Sequence, residues 1–477
     1  MAKPNVCAAG IATGATRLVV VSADHPIEPR QDTASSGELT VQPAVPSRRA
    51  FLAGAGATAV AGLAAACSGS DLAEGAIGQP TTIPAAPMPL IQPPATRSAS
   101  NESTVAASPL VFAGEHQAGV MQPPQPAGLV ASFNVITTDR GELIETLQVL
   151  SAEIERIMSD RPVAAVDEFL APADSGVVDA NSGTAGVSIT LAVGASLFDN
   201  RFDLSDQRPR ELIPMPNFFN DRLVRDELSH GDLSLTITAA DRQAVAFALH
   251  QAVRVTERRF LLRWVQEGYN QQLPEQPGQI AHSRNLLGFR DGTSNLESAD
   301  DRQMSDFVWV QPGDGEPDWA VGGTYQAARI IRMLIEFWAT AALVRQEQIF
   351  GRHRDTGAPL GQEAEGDEPA FAADPNDDTI PRRSHMRLAN PRTPGTGRIL
   401  RRGFSYLNGA AADGTLDQGL LFLCYQRSLS RGFFEVQSRL DGEPLEDYVK
   451  PVGGGLFFVL PGPAEQDGWL GESLFAS

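Results

Sequence analysis

Leu129-Val-Ala-Ser-Phe-Asn-Val-Ile136 is a short run rich in apolar, β-branched and aromatic residues, and it reads as a strand. The next segment, 142–158, places Leu143, Leu147, Leu150, Ile154 and Ile157 at helical spacing on one face, so it reads as an amphipathic helix. Residues 187–193 and 233–238 read as two more strands. Residues 240–255 read as a second helix, opened by Asp241, and 260–265 as a fourth strand. The order is β-α-β-β-α-β with one long insertion, the order of a ferredoxin-like unit.

A similar order returns further along. Residues 328–335 read as a strand, 340–350 as a helix and 351–383 as a polar, acidic loop. Strands follow at 403–406 and 420–424, then a helix at 429–440 and a last strand at 456–460. Two units of one order predict an α+β fold made of duplicated ferredoxin-like halves with antiparallel sheets, spanning 127–300 and 301–477.

The chain ahead of these halves has a different character. Ser47-Arg-Arg-Ala-Phe-Leu52 opens an uncharged Ala/Gly-rich run that ends at Ala66. A paired arginine before a mild apolar stretch is the twin-arginine export pattern, so residues 1–67 are expected to be an export signal. The run is too short and too weakly hydrophobic for a permanent span. The pair lies far from Met1, which fits either a downstream start or a long leading region. Ala64-Ala-Ala-Cys67 reads as a small-residue cleavage site or as a loose lipobox with Cys67 acylated. Residues 68–126 are rich in Pro, Ala, Ser and Thr and read as an extended linker.

Composition narrows the function. The 477 residues carry 58 acidic and 38 basic side chains, a formal charge of −20. That balance favours solubility and cationic partners and disfavours nucleic acid, whose phosphates need Lys/Arg clusters. Of three cysteines, Cys7 and Cys67 lie in or beside the export segment. Cys424 sits among apolar neighbours and reads as a core thiol. No cysteine or histidine spacing suggests zinc.

Three stretches carry chemistry. Asn285-Leu-Leu-Gly-Phe-Arg-Asp-Gly-Thr-Ser-Asn295 holds Asp291 on a glycine-flanked turn, which suits a single positioned acid or base; an Asp-Gly surface turn accounts for the same residues. The others are Ser384-His-Met-Arg-Leu-Ala-Asn-Pro-Arg392 and Arg398-Ile-Leu-Arg-Arg-Gly-Phe-Ser-Tyr406. Together they resemble the GxxDG, His-x-Arg-Leu-Ala-Asn-Pro-Arg and Arg-Arg-Gly-aromatic signatures of the dye-decolourising peroxidases. The order and rough spacing match as well, and the likeness extends over most of the chain after about Gly114. It is closest to the exported branch that includes deferrochelatase/peroxidases.

The resemblance implies one haem b per chain, held between or within the two halves, with His385 as the axial ligand to iron. The other histidines have simpler readings. His116 is structural or on the surface, His250 serves packing or capping, and His230, His282 and His353 are solvated. A ligating imidazole gives its second N–H to a carboxylate. The family pattern puts that acid in Leu445-Glu-Asp-Tyr448, at Asp447, with Glu446 as the alternative. On the opposite side of the haem, Asp291 is implied as the proton-moving group and Arg401 as the charge-stabilising one, with Arg402 as its alternative. Gly292, Thr293 and Ser294 are implied at the haem edge, and Asn390, Pro391 and Arg392 near the proximal side.

The expected activity is reduction of hydrogen peroxide with oxidation of dyes, phenols or similar reductants. Electrons would leave through Trp319, Trp338, Tyr406 or Tyr425, each of which also reads as a core aromatic. Deferrochelation, the release of iron from haem in an iron-uptake system, uses the same residues. A haem carrier needs His385 without Asp291 and Arg401. The expected partners are peroxide, the reductant and the export machinery, with a homo-oligomer left open. The expected place is outside the cytoplasm, with or without a lipid anchor.

Overall fold

A computed structural model describes residues 110–476, apart from 162–168, 174, 179–183, 185, 272–282 and 466. The expected export signal, Cys7, Cys67, His282 and the linker up to residue 109 lie outside the described residues.

The first half follows the predicted order. Strand β1 (Ala127–Val135) leads to helix α2 (Arg140–Met158), after a short helix α1 (Ala118–Met121). Then come β2 (Ser188–Gly194), β3 (Leu233–Ala239), α3 (Arg242–Val255) and β4 (Phe260–Tyr269). Helix starts are set by local chemistry. The Asp139 side chain accepts from the Glu142 N–H at 2.8 Å, and Asp241 accepts from Ala244 N–H at 2.9 Å. Each such cap contributes about 1 kcal/mol. Leu143, Leu147, Leu150, Ile154 and Ile157 are all buried, as their spacing demands.

The second half contains β7 (Thr324–Met333), α6 (Leu343–Phe350), β9 (Phe404–Ala410), β10 (Leu416–Gln426), α8 (Phe433–Leu440) and β11 (Val449–Val459). Around these lie short elements that periodicity does not reveal. They are β5 (Ser283–Arg284), β6 (Arg290–Asp291), α4 (Asp301–Phe307), α5 (Ile335–Trp338), α7 (His385–Ala389), β8 (Leu400–Arg401) and α9 (Glu472–Ala476). Two-residue strands and one-turn helices are too brief to carry a repeat.

Both halves have the same strand order. It runs β4-β1-β3-β2 in the first and β11-β7-β10-β9 in the second, fourth-first-third-second in each. The halves join edge to edge. β11 pairs with β2 through Phe457, Phe458 and Val459, and β4 pairs with β9 at Tyr269 and Ser405. With the β7–β10 pairing this closes an antiparallel ring in which each half lends its fourth strand to the other's second. Closure leaves no exposed edges among these strands.

Alternation along the strands sorts the core. Leu129, Ala131, Phe133 and Val135 join the cluster that includes α2 and α3, whereas Val130 faces a second cluster with Phe404, Leu421, Leu423 and Tyr425. A third, smaller cluster gathers Leu287, Phe289, Met333, Trp338, Ile349 and Leu445. It ties the turn before Asp291 to α5, α6 and the segment ahead of β11.

The linker expectation needs correction from Leu110 onward. Phe112 and Val120 are buried, and the Gln117 amide donates to Leu191 O (2.7 Å) and Leu460 O (2.9 Å) while accepting from Leu191 N–H. Proline content marks broken regular structure, yet a broken segment packs well when its polar groups find partners. Among the described residues no helix is long and apolar enough to cross a membrane.

Candidate active site

The turn bearing Asp291 is built by Asn285. Its side-chain oxygen accepts from Leu287 N–H (3.1 Å) and Phe289 N–H (3.2 Å), and its N–H donates to Phe289 O (3.0 Å). Gly288 and Gly292 have φ of +89° and +88°, conformations that favour glycine. Phe289 between them is buried and stacks on Phe350 with ring centres 3.9 Å apart. One end of the turn is thus anchored in the small core, and Asp291 stands on the half-exposed end.

His385 is the first residue of α7. Its Nδ1 lies 3.0 Å from both carboxylate oxygens of Glu443. Among the described residues its Nε2 has no hydrogen-bond partner, and about 31% of the side chain is open. Burial works against a charged ring. The Glu443 carboxylate outweighs that penalty, so the imidazole is held above its ordinary pKa; Arg401 pulls the other way and Asp291 adds to the rise. Arg439 caps the far end of α7, donating to Leu388 O (2.8 Å) and Ala389 O (3.0 Å).

The carboxylate on His385 is therefore Glu443, not Asp447. Asp447 is exposed at the end of a 3-10 turn, Pro444–Asp447. Glu443 precedes that turn with φ −62° and ψ 154°, the extended shape favoured before proline, and its side chain reaches α7. Glu446 is buried beside Glu443, and burial raises its pKa, but it does not bond the imidazole.

Arg401 and Arg402 diverge. Asn295 clamps Arg401 to the Asp291 turn: its amide donates to Arg401 O and its carbonyl accepts Arg401 N–H, both at 2.9 Å. The Arg401 guanidinium donates through Nη2 to Thr293 O at 2.8 Å. Arg402 instead donates to Gln122 O (3.1 Å) and Arg401 O (3.1 Å), and burial lowers its pKa.

The remaining residues converge on the same turn. Ser294 Oγ accepts from Arg392 Nη2 at 3.0 Å, and Asn390 Oδ1 accepts Arg392 N–H at 3.3 Å. Thr293 Oγ1 donates to Glu365 at 2.6 Å. Pro391 is half-buried between Asn390 and Arg392, and Gly292 is exposed. The three motif stretches, about 100 residues apart in sequence at their widest, meet at one place. A further guanidinium belongs to it. Arg352 is buried, with burial and the charges of Arg392 and Arg401 pushing its pKa down to about 10 against the pull of Glu365 and Glu368.

Sequence reading missed Glu443, Arg352, Glu365 and Arg439. Glu443 had one faint signal, a carboxylate fixed ahead of a proline between a helix and a strand. Glu365 lies in an acidic run that looks solvated. Of the histidines, His116 stacks on Trp309 with centres 3.9 Å apart and bonds Gly322 O at 2.7 Å. His250 is exposed five residues before the end of α3, so it does not cap that helix. His230 is half-buried, not solvated, and burial lowers its pKa. Cys424 is buried, which raises its thiol pKa.

Among the aromatic rings, Tyr406 and Tyr425 lie in the second core cluster and Trp319 in the first. Trp338 alone of the four reaches the His385 surroundings: it packs edge-on to Phe350, whose ring centre is 6.0 Å from that of His385.

Comparison with known proteins agrees with this arrangement. Residues 117–270 match the family model for the Dyp-type peroxidase N-terminal domain, and 282–464 match that for the C-terminal domain. A deferrochelatase of Yersinia pestis is 43% identical over 366 residues, covering 76% of this chain and 84% of that protein. A deferrochelatase of Escherichia coli O157:H7 is 42% identical, covering 76% and 86%. Ferric DtpA from Streptomyces lividans superposes with a TM-score of 0.71 at 30% identity, over 80% of this chain and all of that one. A DyP-type peroxidase from Streptomyces coelicolor gives 0.69 at 31% identity, over 77% and 97%. With both domain models matched in order and the three motif stretches drawn to one site, the chain belongs to the Dyp-type peroxidase family.

Proposed function

We propose that this haem peroxidase reduces hydrogen peroxide at a haem b held by His385, using Asp291 to move the proton and Arg401 to stabilise charge. The observation that carries the reading is geometric: Asn295 clamps Arg401 to the Asp291 turn, and Arg392 of the His385 motif bonds Ser294 of that same turn, so the three motif stretches address one space. The residues fit a haem. His385 offers a free Nε2 on a ring oriented by Glu443, and the guanidinium of Arg392 suits a propionate. Gly292, Thr293, Ser294, Asn390 and Pro391 would line its edge.

A bound haem supplies the electrons that reduce peroxide and is restored by the reductant. The chain does the rest. Glu443 holds the His385 imidazole in one orientation through Nδ1. The Asp291 carboxylate takes a proton from one peroxide oxygen and returns it to the other. Arg401 donates hydrogen bonds to the oxygen that gains negative charge as the O–O bond lengthens. Thr293 O holds its planar fork in place.

Stopped-flow spectroscopy of haem-loaded protein with peroxide tests this. Asp291→Asn and Arg401→Leu should each slow the peroxide-induced spectral change by about a hundredfold or more. Haem binding with no such change in the parent protein would instead favour a carrier.

Deferrochelation is a second reading, favoured by the names of the relatives at 42–43% identity. Haem-loaded protein incubated with an iron chelator and no peroxide separates the two. Recovery of intact porphyrin without iron would support it.

The Ser47-Arg-Arg49 pattern supports export by the twin-arginine route to an extracytoplasmic place, with Cys67 as an anchor point and an iron-uptake system as a further partner. Mass spectrometry of the exported protein tests the anchor. An unmodified Cys67 would remove it.

A further inference from the structure

Glu365 lies in the loop between α6 and α7, within the acidic run Glu363-Ala-Glu-Gly-Asp-Glu368. Unlike a solvated acid, its side chain is only 14% exposed. One carboxylate oxygen pairs with the guanidinium of Arg290, whose side chain is 9% exposed. The other accepts from Thr293 Oγ1 at 2.6 Å. Arg290 and Thr293 are the two flanks of Asp291-Gly292, so one carboxylate spans the turn that presents Asp291.

Strand pairing reaches only the start of the turn, where Arg290 and Asp291 face Arg284 and Ser283 of β5, and its tip is open. A Cβ built on Gly292 would meet no atom within 4 Å. The same turn also holds the arginine, since Thr293 O accepts from Arg401 Nη2. The loop is fastened in turn by Arg352, which donates to Gly357 O (2.7 Å) and Glu365 O (3.2 Å). Every link from Arg352 through Glu365 and Thr293 to Arg401 is a hydrogen bond to a charged group, the stronger kind.

We propose that Glu365 is the positioning residue for the Asp291–Arg401 pair. It touches neither peroxide nor cofactor. It fixes the 290–293 turn from both flanks, so that the carboxylate of Asp291 and the fork of Arg401 face the same point. The inference rests on the peroxidase reading for its effect on rate and on the turn geometry alone for its effect on local order.

The test uses the haem-loaded full chain with Glu365→Ala and Glu365→Gln. Glutamine keeps an oxygen for Thr293 but loses the charge that holds Arg290. In Glu365→Ala the reaction with peroxide should slow about tenfold to a hundredfold, the scale set by small misplacements of reacting groups. Haem affinity should stay at the parental value, while the thermal midpoint falls because Arg290 loses its buried partner. Affinity for fluoride, an anion that a well-placed arginine stabilises on ferric haem, should fall with the rate. Amide exchange at 291–294 should quicken, and Glu365→Gln should recover part of each effect.

Parental peroxide rate and parental exchange in Glu365→Ala would overturn the proposal. So would a fall in haem affinity that matches the rate loss in both variants, which marks a merely structural brace. A parent that fails to react with peroxide would sink the peroxidase reading, while exchange at the turn would still decide the role of Glu365.

Discussion

The Nδ1 atom of His385 sits 3.0 Å from each carboxylate oxygen of Glu443, and the two residues come from segments 58 positions apart. The carboxylate fixes the tautomer and the angle of the ring, and makes it more basic. Glu443→Gln should preserve the fold but lower haem affinity or peroxide reactivity by about tenfold to a hundredfold, the usual cost of losing such a partner. It should also raise the reduction potential, because a less basic imidazole stabilises ferric iron less. Asp447→Asn should change neither. Spectroelectrochemical titration of the three proteins checks this, and an effect confined to Asp447→Asn would refute the pairing.

The main elements of this fold were legible because their signals are long. Five apolar residues on α2 and Asp241 ahead of α3 leave few alternatives. His385, Asp291 and Arg401 were legible only through their motifs. Glu443 was not, because its role depends on where Pro444 directs a single side chain and on how α7 docks, and neither leaves a periodic trace. The closed ring was equally hidden. It depends on which edges meet, as at Tyr269 and Ser405, and strand patterns do not encode their neighbours.

Phe289 joins the Asp291 turn to the small core. It is 2% exposed, stacks on Phe350 and meets Trp338 edge-on at 6.2 Å. Phe289→Ala should cost about 3–5 kcal/mol, the range for emptying a buried aromatic site. Phe289→Leu should cost less and retain more peroxide activity. Equilibrium denaturation paired with haem titration reads both. A stable Phe289→Ala with parental haem affinity would show that the turn does not depend on this anchor.

Asp374 gives a pH-dependent brace to the same long loop. Its carboxylate accepts from the N–H groups of Ile380 (2.9 Å), Thr379 (3.2 Å) and Asp378 (2.8 Å). Those donors, Ile380 first, hold its pKa below the ordinary carboxylate value. A depressed folded pKa adds stability that is complete above the unfolded value, about 4, and is lost as pH falls through the folded one. Asp374→Ala should therefore be less stable than the parent near neutral pH, and the gap should close as the solution becomes strongly acidic. Thermal midpoints measured across that range decide it; a gap independent of pH would mean the carboxylate's charge is irrelevant there.

Trp338 is the aromatic ring best placed to carry an electron inward from a reductant at the surface. A dye too bulky to enter the site passes its electron through protein. Phe350 lies between His385 and Trp338, with centres 6.0 Å and 5.9 Å away. Tyr448 follows Trp338 at 4.8 Å, and half-exposed Phe337 covers Tyr448 at 4.9 Å. Indole and phenol rings lose an electron far more readily than phenyl rings, so Trp338 and Tyr448 are the stations and the phenylalanines are packing. Trp338 Nε1 donates to Leu287 O at 2.9 Å, which fixes the indole in this chain of contacts. Trp338→Phe should lower turnover of a bulky dye about tenfold, a loss near 1.4 kcal/mol in barrier terms, and leave a small reductant unaffected. Tyr448→Phe should act in the same direction. Steady-state turnover with one dye and one small phenol separates the cases. An equal loss for both reductants would mean that Trp338 supports the site rather than conducting to it, and no loss for either would return the indole to the core.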